Sequence, residues 1–115
     1  MERYRNLSCP FCGREPEEPH TIQMHFGETV GGRCNCEAIY IYDETGRMLG
    51  EAFVEGLALL YGDNYDAAFS APEEEYEEEI VSYDRRLKRF VSGSAGPFDG
   101  TSKFLFLRKT KKAQT

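Results

Sequence analysis

The sequence predicts a single α+β domain over residues 1–115, with a small antiparallel sheet, then two or three helices and a C-terminal strand. Three observations predict this class. The length of 115 residues fits one domain. All four cysteines lie in two short clusters near the N-terminus, where short strand patterns surround them. Apolar side chains then recur at steps of three and four, which is typical of helices.

The segment after the first cysteine cluster is predicted to be a loop followed by a strand. Pro16 and Pro19 remove two amide donors and restrict the residues before them, so no helix can run through this segment. Residues 20–27 alternate apolar and polar side chains, as a half-buried strand does. Residues 27–32 read as a turn, because three of the six are glycine.

The second cluster is followed by a strand and a helix. Residues 37–42 are rich in β-branched and aromatic side chains, which favours a strand, and 43–46 form a turn. An apolar stripe predicts a helix over 48–61, with Gly62 just beyond its end. Gly56 inside that helix indicates either close packing on another element or a tolerated cost of up to ~1 kcal/mol.

The rest of a helical segment, 47–91 in all, is predicted to hold two more helices. A short one is capped by Asn64, and a longer one covers 70–90, where acidic residues precede basic ones. Glutamates four residues apart oppose the longer helix, so a short helix followed by a strand from about Tyr83 to Val91 is the alternative. Residues 103–109 are predicted as the C-terminal strand and 110–115 as a basic tail.

The charge is acidic in total but unevenly distributed. The net charge is −6, with 5 basic and 19 acidic residues in 1–84 against 9 basic and 1 acidic in 85–115. The negative net charge argues against a protein that coats nucleic acid without specificity, whereas the uneven distribution permits a local basic surface. No apolar run approaches the ~20 residues that span a bilayer, and the polar N-terminus does not resemble a signal peptide. We therefore expect a cytoplasmic protein.

The cysteine spacing predicts a metal site. In a reducing compartment, clustered cysteines bind metal or do redox chemistry more often than they form structural disulfides. Four thiolates fill a tetrahedral coordination sphere, which suits a structural zinc ion, with iron as an alternative occupant. His20 or His25 could replace a cysteine of the second cluster, because mixed sites are common. The expected ligands are Cys9, Cys12, Cys34 and Cys36.

Cys-Pro-Phe-Cys-Gly at 9–13 resembles the first knuckle of zinc ribbons, Cys-Pro-x-Cys-Gly. The resemblance covers about 7–43 and implies a zinc-ribbon sheet with structural zinc. Residues 34–46 also resemble small bacterial ribbon proteins of unassigned function, which read Cys-x-Cys-Gly-Ala, an aromatic strand and Asp-x-Thr-Gly before a helix. Glu37 stands where that pattern has glycine, and Cys34-Asn35-Cys36 is one residue shorter than a usual knuckle.

Cys-Pro-Phe-Cys also resembles the active-site motif of glutaredoxins, which implies a thiol–disulfide oxidoreductase that uses Cys9 and Cys12. That motif opens a helix whose N-terminus lowers the pKa of the first cysteine. Gly13 and the two prolines stand where this helix would run.

The predicted function is therefore a non-enzymatic module in which zinc is structural and the surface mediates protein interaction. A closed thiolate site leaves no open position for substrate, and seven tyrosines suit an interaction surface. The alternative is nucleic-acid binding by basic residues interleaved with phenylalanines, unless these form a solvated face or pair with the glutamates of 73–79. The basic candidates are Arg85, Arg86, Lys88, Arg89, Lys103, Arg108, Lys109, Lys111 and Lys112.

Overall fold

The computed structural model describes residues 7–24, 27–44, 49–84, 89–91 and 102–110, which form one antiparallel sheet with helices on one face. The six strands lie in the order β1-β2-β3-β6-β4-β5. In chain order the elements are β1 (His20–Met24), β2 (Gly27–Arg33), β3 (Ile39–Asp43), α1 (Leu49–Leu60), α2 (Tyr65–Ser70), a 3₁₀ turn (Glu73–Glu75), β4 (Tyr76–Asp84), β5 (Arg89–Val91) and β6 (Ser102–Lys109).

The last strand in the sequence, β6, lies between β3 and β4. Its apolar run alternates between the two faces of the sheet, as successive strand residues must. Leu105 and Leu107 pack with the helices, whereas Phe104 and Phe106 pack with the cysteines on the other face. All four side chains are buried. The predicted C-terminal strand is thus confirmed, and it lies inside the sheet.

Helix α1 lies on β3 and β6, and the predicted apolar stripe accounts for its position. The close-packing interpretation of Gly56 is confirmed, because a Cβ there would lie 2.8 Å from Leu107 Cδ1 and 3.1 Å from Ile41 Cγ1. Gly62 follows α1 with φ of 73°, where the left-handed conformation favours glycine. The side chain of Asn64 accepts a hydrogen bond from the Ala67 amide, which caps α2 as predicted.

The predicted helix over 70–90 is wrong, and so is the second half of the helical segment 47–91. The 3₁₀ turn is followed by β4, which starts earlier than the alternative strand from Tyr83. A helix would align like charges at steps of four. In the strand, Glu77 instead pairs in register with Arg108 across the β4–β6 ladder, and Tyr83 is buried against the aromatic face.

The predicted turn at 27–32 is also wrong, because these residues belong to β2. Gly31 and Gly32 of this strand allow a close approach of Tyr40: a Cβ on Gly32 would lie 2.7 Å from the Tyr40 ring. Of the strand predicted at 20–27, His20–Met24 is confirmed as β1, whereas Gly27 belongs to β2; of the one at 37–42, the part from Ile39 is confirmed as β3. Part of the turn at 43–46 and most of the 110–115 tail lie outside the described residues. Within the described part of the chain, no helix is long and apolar enough to cross a membrane.

The close contact at Gly56 gives the first testable prediction. We expect Gly56→Ala to lower the free energy of unfolding by about 1 kcal/mol, because overpacking against Leu107 outweighs the gain in helix propensity. Gly50→Ala in the same helix is the matched control, since a Cβ there meets nothing within 4 Å. Denaturant unfolding with metal present measures both. A Gly56→Ala chain as stable as Gly50→Ala would contradict the packing argument.

Candidate metal centre

The four cysteines lie on the face of the sheet opposite the helices, above a layer of aromatic rings. Tyr40 lies with its ring centroid 5.0 Å from that of Phe106 and 5.5 Å from that of Phe104. Cys9 and Cys34 are buried in this cluster, whereas Cys12 and Cys36 are half-buried. The sheet therefore gives the cysteine site a rigid apolar floor.

The first knuckle is closed by two backbone hydrogen bonds. The Gly13 amide donates to the Cys9 carbonyl at 2.8 Å, and the Cys9 amide donates to the Arg14 carbonyl at 2.8 Å. Gly13 has φ of 76°, which reverses the chain directly after Cys12. The Arg14 amide lies 3.4 Å from the Cys12 sulfur. This turn brings both sulfurs of the first pair to the same side.

The second knuckle repeats this design with one residue fewer. The Glu37 amide donates to the Cys34 carbonyl at 3.0 Å, and the Cys34 amide donates to the Ala38 carbonyl at 2.9 Å. Each bond spans one residue less than its counterpart in the first knuckle. Glu37 has φ of 75° and is thus the counterpart of Gly13. The short spacing is accommodated by a tighter turn, and Glu37 occupies a backbone conformation that favours glycine.

The four sulfur atoms converge on a common point. All lie within 4.8 Å of one another, with Cys12 to Cys34 at 3.4 Å and Cys9 to Cys36 at 3.6 Å. These separations are well above the ~2.05 Å of a disulfide bond, and all four cysteines are free. Zinc–sulfur bonds of ~2.3 Å place the sulfurs of a tetrahedron ~3.8 Å apart, so the site fits a zinc-sized ion. The predicted cysteine cluster is a candidate metal site.

The histidines do not join this cluster in the described residues. His20 is exposed, and its Nε2 lies 3.1 Å from Glu17 Oε1. His25 lies outside the described residues. The metal-binding group consists of the four cysteines alone within the part of the chain that the structure describes.

The pKa values of the cysteine thiols indicate how a bound cation would stabilise the site. Burial raises the pKa of Cys9 to about 12 and also raises the pKa of Cys34. The Arg14 amide lowers the pKa of Cys12 to about 7. Two buried thiols therefore resist ionisation unless a positive charge stabilises the thiolates, and a divalent metal ion provides that charge.

Arg108 reaches the cysteine site from β6. Its guanidinium lies 4.8 Å from the centre of the Phe11 ring and pairs with Glu77 Oε1 at 3.0 Å. Burial opposes its charge, yet Glu77 and the Cys36 sulfur raise its pKa above the ordinary value. Four thiolates with one divalent ion carry a net charge of about −2, which a neighbouring cation stabilises.

Hydrogen bonds join Glu17, in the loop after the first knuckle, to the strands on both sides of the second knuckle. The Tyr40 hydroxyl donates to the Glu17 carbonyl at 2.6 Å. Glu17 also exchanges backbone contact with Arg33, whose amide donates to Glu17 Oε1 at 2.9 Å and whose carbonyl accepts from the Glu17 amide at 2.9 Å. This role of Glu17 and Tyr40 has no local signal in the sequence, because it depends on contacts between residues distant in sequence.

The remaining predicted basic residues have separate positions. Lys103 is 1% exposed, and its Nζ donates to Ser82 Oγ at 2.8 Å inside the protein. Lys109 lies over the Tyr61 ring at 4.6 Å, on the helix face. Arg89 belongs to β5. The other candidates lie outside the described residues: Arg85, Arg86, Lys88, Lys111 and Lys112.

Comparisons with protein families, curated proteins and solved structures give no match to this chain. The case for the metal centre therefore stands on the geometry of the site.

The left-handed conformation of Glu37 gives the second prediction. We expect Glu37→Gly to raise the free energy of unfolding by about 1 kcal/mol, because glycine adopts this conformation without the cost borne by other residues. Glu37→Ala is the matched control, since it removes the carboxylate and keeps the backbone cost. Thermal unfolding of the metal-loaded proteins measures both. Equal stability of the two variants would show that the backbone at Glu37 is unstrained.

Arg108 gives the third prediction. We expect Arg108→Met to weaken zinc binding about tenfold, because groups that contact the ligands commonly change metal affinity by ~10–100-fold. Lys109→Met removes the adjacent cation, whose Nζ lies over the Tyr61 ring and not beside the Phe11 ring of the first knuckle, and should change the affinity much less. Competition with a chromophoric chelator measures both constants. Equally weakened zinc binding in the two variants would show that the loss of one positive charge explains the effect, without a specific role for Arg108.

Proposed function

We propose that this chain is a protein-interaction module whose cysteine end is held together by a structural zinc ion. The observation that carries the proposal is the convergence of four sulfurs within 4.8 Å from two knuckles of the same backbone design. This geometry supports the zinc-ribbon assignment for residues 7–43. The strands of this segment belong to a six-stranded sheet, which the zinc-ribbon resemblance does not imply.

A structural role for the metal follows from the ligand count. Four thiolates complete the tetrahedral sphere of zinc and leave no position for a water or a substrate. The ion would be held by Cys9, Cys12, Cys34 and Cys36, and it would supply the charge that stabilises the buried thiolates. Because the two cysteine pairs flank the β1–β2 hairpin, a bound ion ties both ends of that hairpin together.

The arrangement of the first cysteine pair does not favour the thiol–disulfide alternative. In that chemistry the first cysteine is accessible and ionised. Here Cys9 is 1% exposed and burial raises its pKa, and residues 10–19 contain no helix that could stabilise its thiolate. The lower pKa belongs to Cys12. A non-enzymatic role is therefore the proposal that this site supports.

The nucleic-acid alternative gains no support from the basic residues that the structure describes. Lys103 is buried and Arg108 pairs with Glu77, as the sequence analysis allowed for the glutamates of 73–79. An affinity for single-stranded oligonucleotides that falls steeply with salt would favour this alternative over protein interaction.

Removal of the metal is the fourth prediction and tests the structural role. The purified chain should contain one zinc ion per molecule, and a strong chelator should lower the melting temperature by at least about 10 °C, because metal binding contributes directly to folding. Elemental analysis, thermal unfolding and alkylation measure metal content, stability and thiol protection. Added zinc should restore the original melting temperature in reducing buffer.

The same measurements distinguish the alternatives. Cys34→Ser should lose about as much stability as chelation, whereas Asn35→Ala, an exposed residue between two of the ligands, should lose little. An unchanged melting curve after complete metal removal would refute the structural role. A metal-free chain with readily alkylated Cys9 and Cys12 would support the oxidoreductase instead.

A further inference from the structure

An exposed aromatic side chain lies on the helix side of the sheet, away from the cysteine site. Phe69 in α2 is 67% exposed, compared with 38% for Val30 and for Ile80, the other exposed large hydrophobic residues in the described part of the chain. Its neighbour Ala68 is buried in the core, so α2 is firmly placed with Phe69 directed outward. A single exposed aromatic is common on protein surfaces, so its significance depends on the apolar surface beside it.

Tyr65 lies between the Phe69 ring and a neighbouring cleft. The two ring centroids lie 6.3 Å apart. Tyr65 then lines a cleft of about 600 Å³ together with Gly50, Val54, Glu51 and Glu55 from α1. A Cβ on Gly50 would meet nothing within 4 Å, so this end of the cleft is open. The volume is large enough for one bulky side chain of a binding partner.

The polar groups of this cleft are acidic. Glu51 and Glu55 lie four residues apart on α1, so they occupy the same side of the helix. Burial, and then the charge of Glu51, raise the pKa of Glu55, although the Thr29 hydroxyl opposes that shift. The described residues that line the cleft include no lysine or arginine. A cation from a partner would relieve the repulsion between the two carboxylates.

We propose that these residues, Glu51, Val54, Glu55, Tyr65 and Phe69, form an acidic-aromatic patch that docks a partner peptide carrying a large apolar side chain beside lysine or arginine. This inference rests on the proposed function as an interaction module and names its docking surface. The apolar side chain occupies the cleft next to Tyr65 and contacts Phe69, and the cation pairs with Glu51 and Glu55. Charge complementarity selects a basic peptide over nucleic acid or an anionic membrane, whose phosphates the carboxylates repel.

Selection from a phage-displayed library of random 12-residue peptides on the zinc-loaded chain tests the proposal. We expect enriched peptides to carry phenylalanine, leucine or tryptophan within two positions of lysine or arginine. Their affinity should fall at least tenfold in Phe69→Ala and in the double variant Glu51→Gln/Glu55→Gln. The matched controls are Val30→Ala and Glu79→Gln, which change an apolar and an acidic residue on the other face of the sheet and should bind as the parent does.

Each other outcome is decisive. Enriched peptides that bind the patch variants and the parent equally would overturn this patch and leave the interaction role standing. A selection that enriches no peptide would overturn both. Enrichment of acidic peptides would overturn the charge argument. A dimer in sedimentation analysis that Phe69→Ala converts to a monomer would assign the patch to a second copy of the chain.

Discussion

The central position of β6 is the constraint on which the rest of the structure depends. This strand pairs with β3 on one side and β4 on the other, so it joins the cysteine-bearing half of the chain to the later half. Its side chains alternate between the two cores, as those of its neighbour β3 also do. Each core is small, as expected for 115 residues, and β6 contributes two fully buried side chains to each. A change in its register by one residue would exchange leucines and phenylalanines between the two faces.

The same pairing also determines how the uneven charge is balanced. The acidic segment of β4 lies antiparallel to the basic end of β6, so Glu77 faces Arg108 in register. The ion pair is only partly exposed, and its guanidinium also contacts Phe11 of the first knuckle. A surface ion pair alone contributes ~0–1 kcal/mol. Here its larger consequence is positional, because Glu77 holds a positive charge beside the sulfur cluster. The excess of acidic residues in 1–84 and of basic residues in 85–115 thus reflects strand pairing at this point, as well as surface composition.

Local signals in the sequence were sufficient for the features that depend on local chemistry. The cysteine ligands, the apolar stripe of α1, the glycine after it and the Asn64 cap all follow from spacing over a few residues. The sequence analysis failed where a partner strand decides the conformation. Tyr76, Ile80 and Tyr83 have helical spacing, yet strand β4 places Tyr83 on the opposite face from the other two. Gly31 and Gly32 of β2 favour a turn in the sequence alone, because their contact with Tyr40 exists only when β3 pairs beside them. Partners distant in sequence carry no local pattern that predicts them.

In the proposed function, one face of the sheet carries the metal site and the other carries the docking surface, and β3 connects the two faces. Tyr40 extends toward the knuckles and fixes Glu17, while Ile39 and Ile41 extend toward Gly56 on α1. An ion at the four sulfurs would therefore stabilise the strand on which α1 rests, without lying near the acidic-aromatic patch. A closed thiolate site can support recognition only in this indirect way, because it offers no coordination position to a partner. In contrast, Phe69 and the carboxylates of α1 do not belong to the buried core, so packing in the core does not determine their chemistry. The proposed division of roles follows from a strand whose alternate residues face opposite sides.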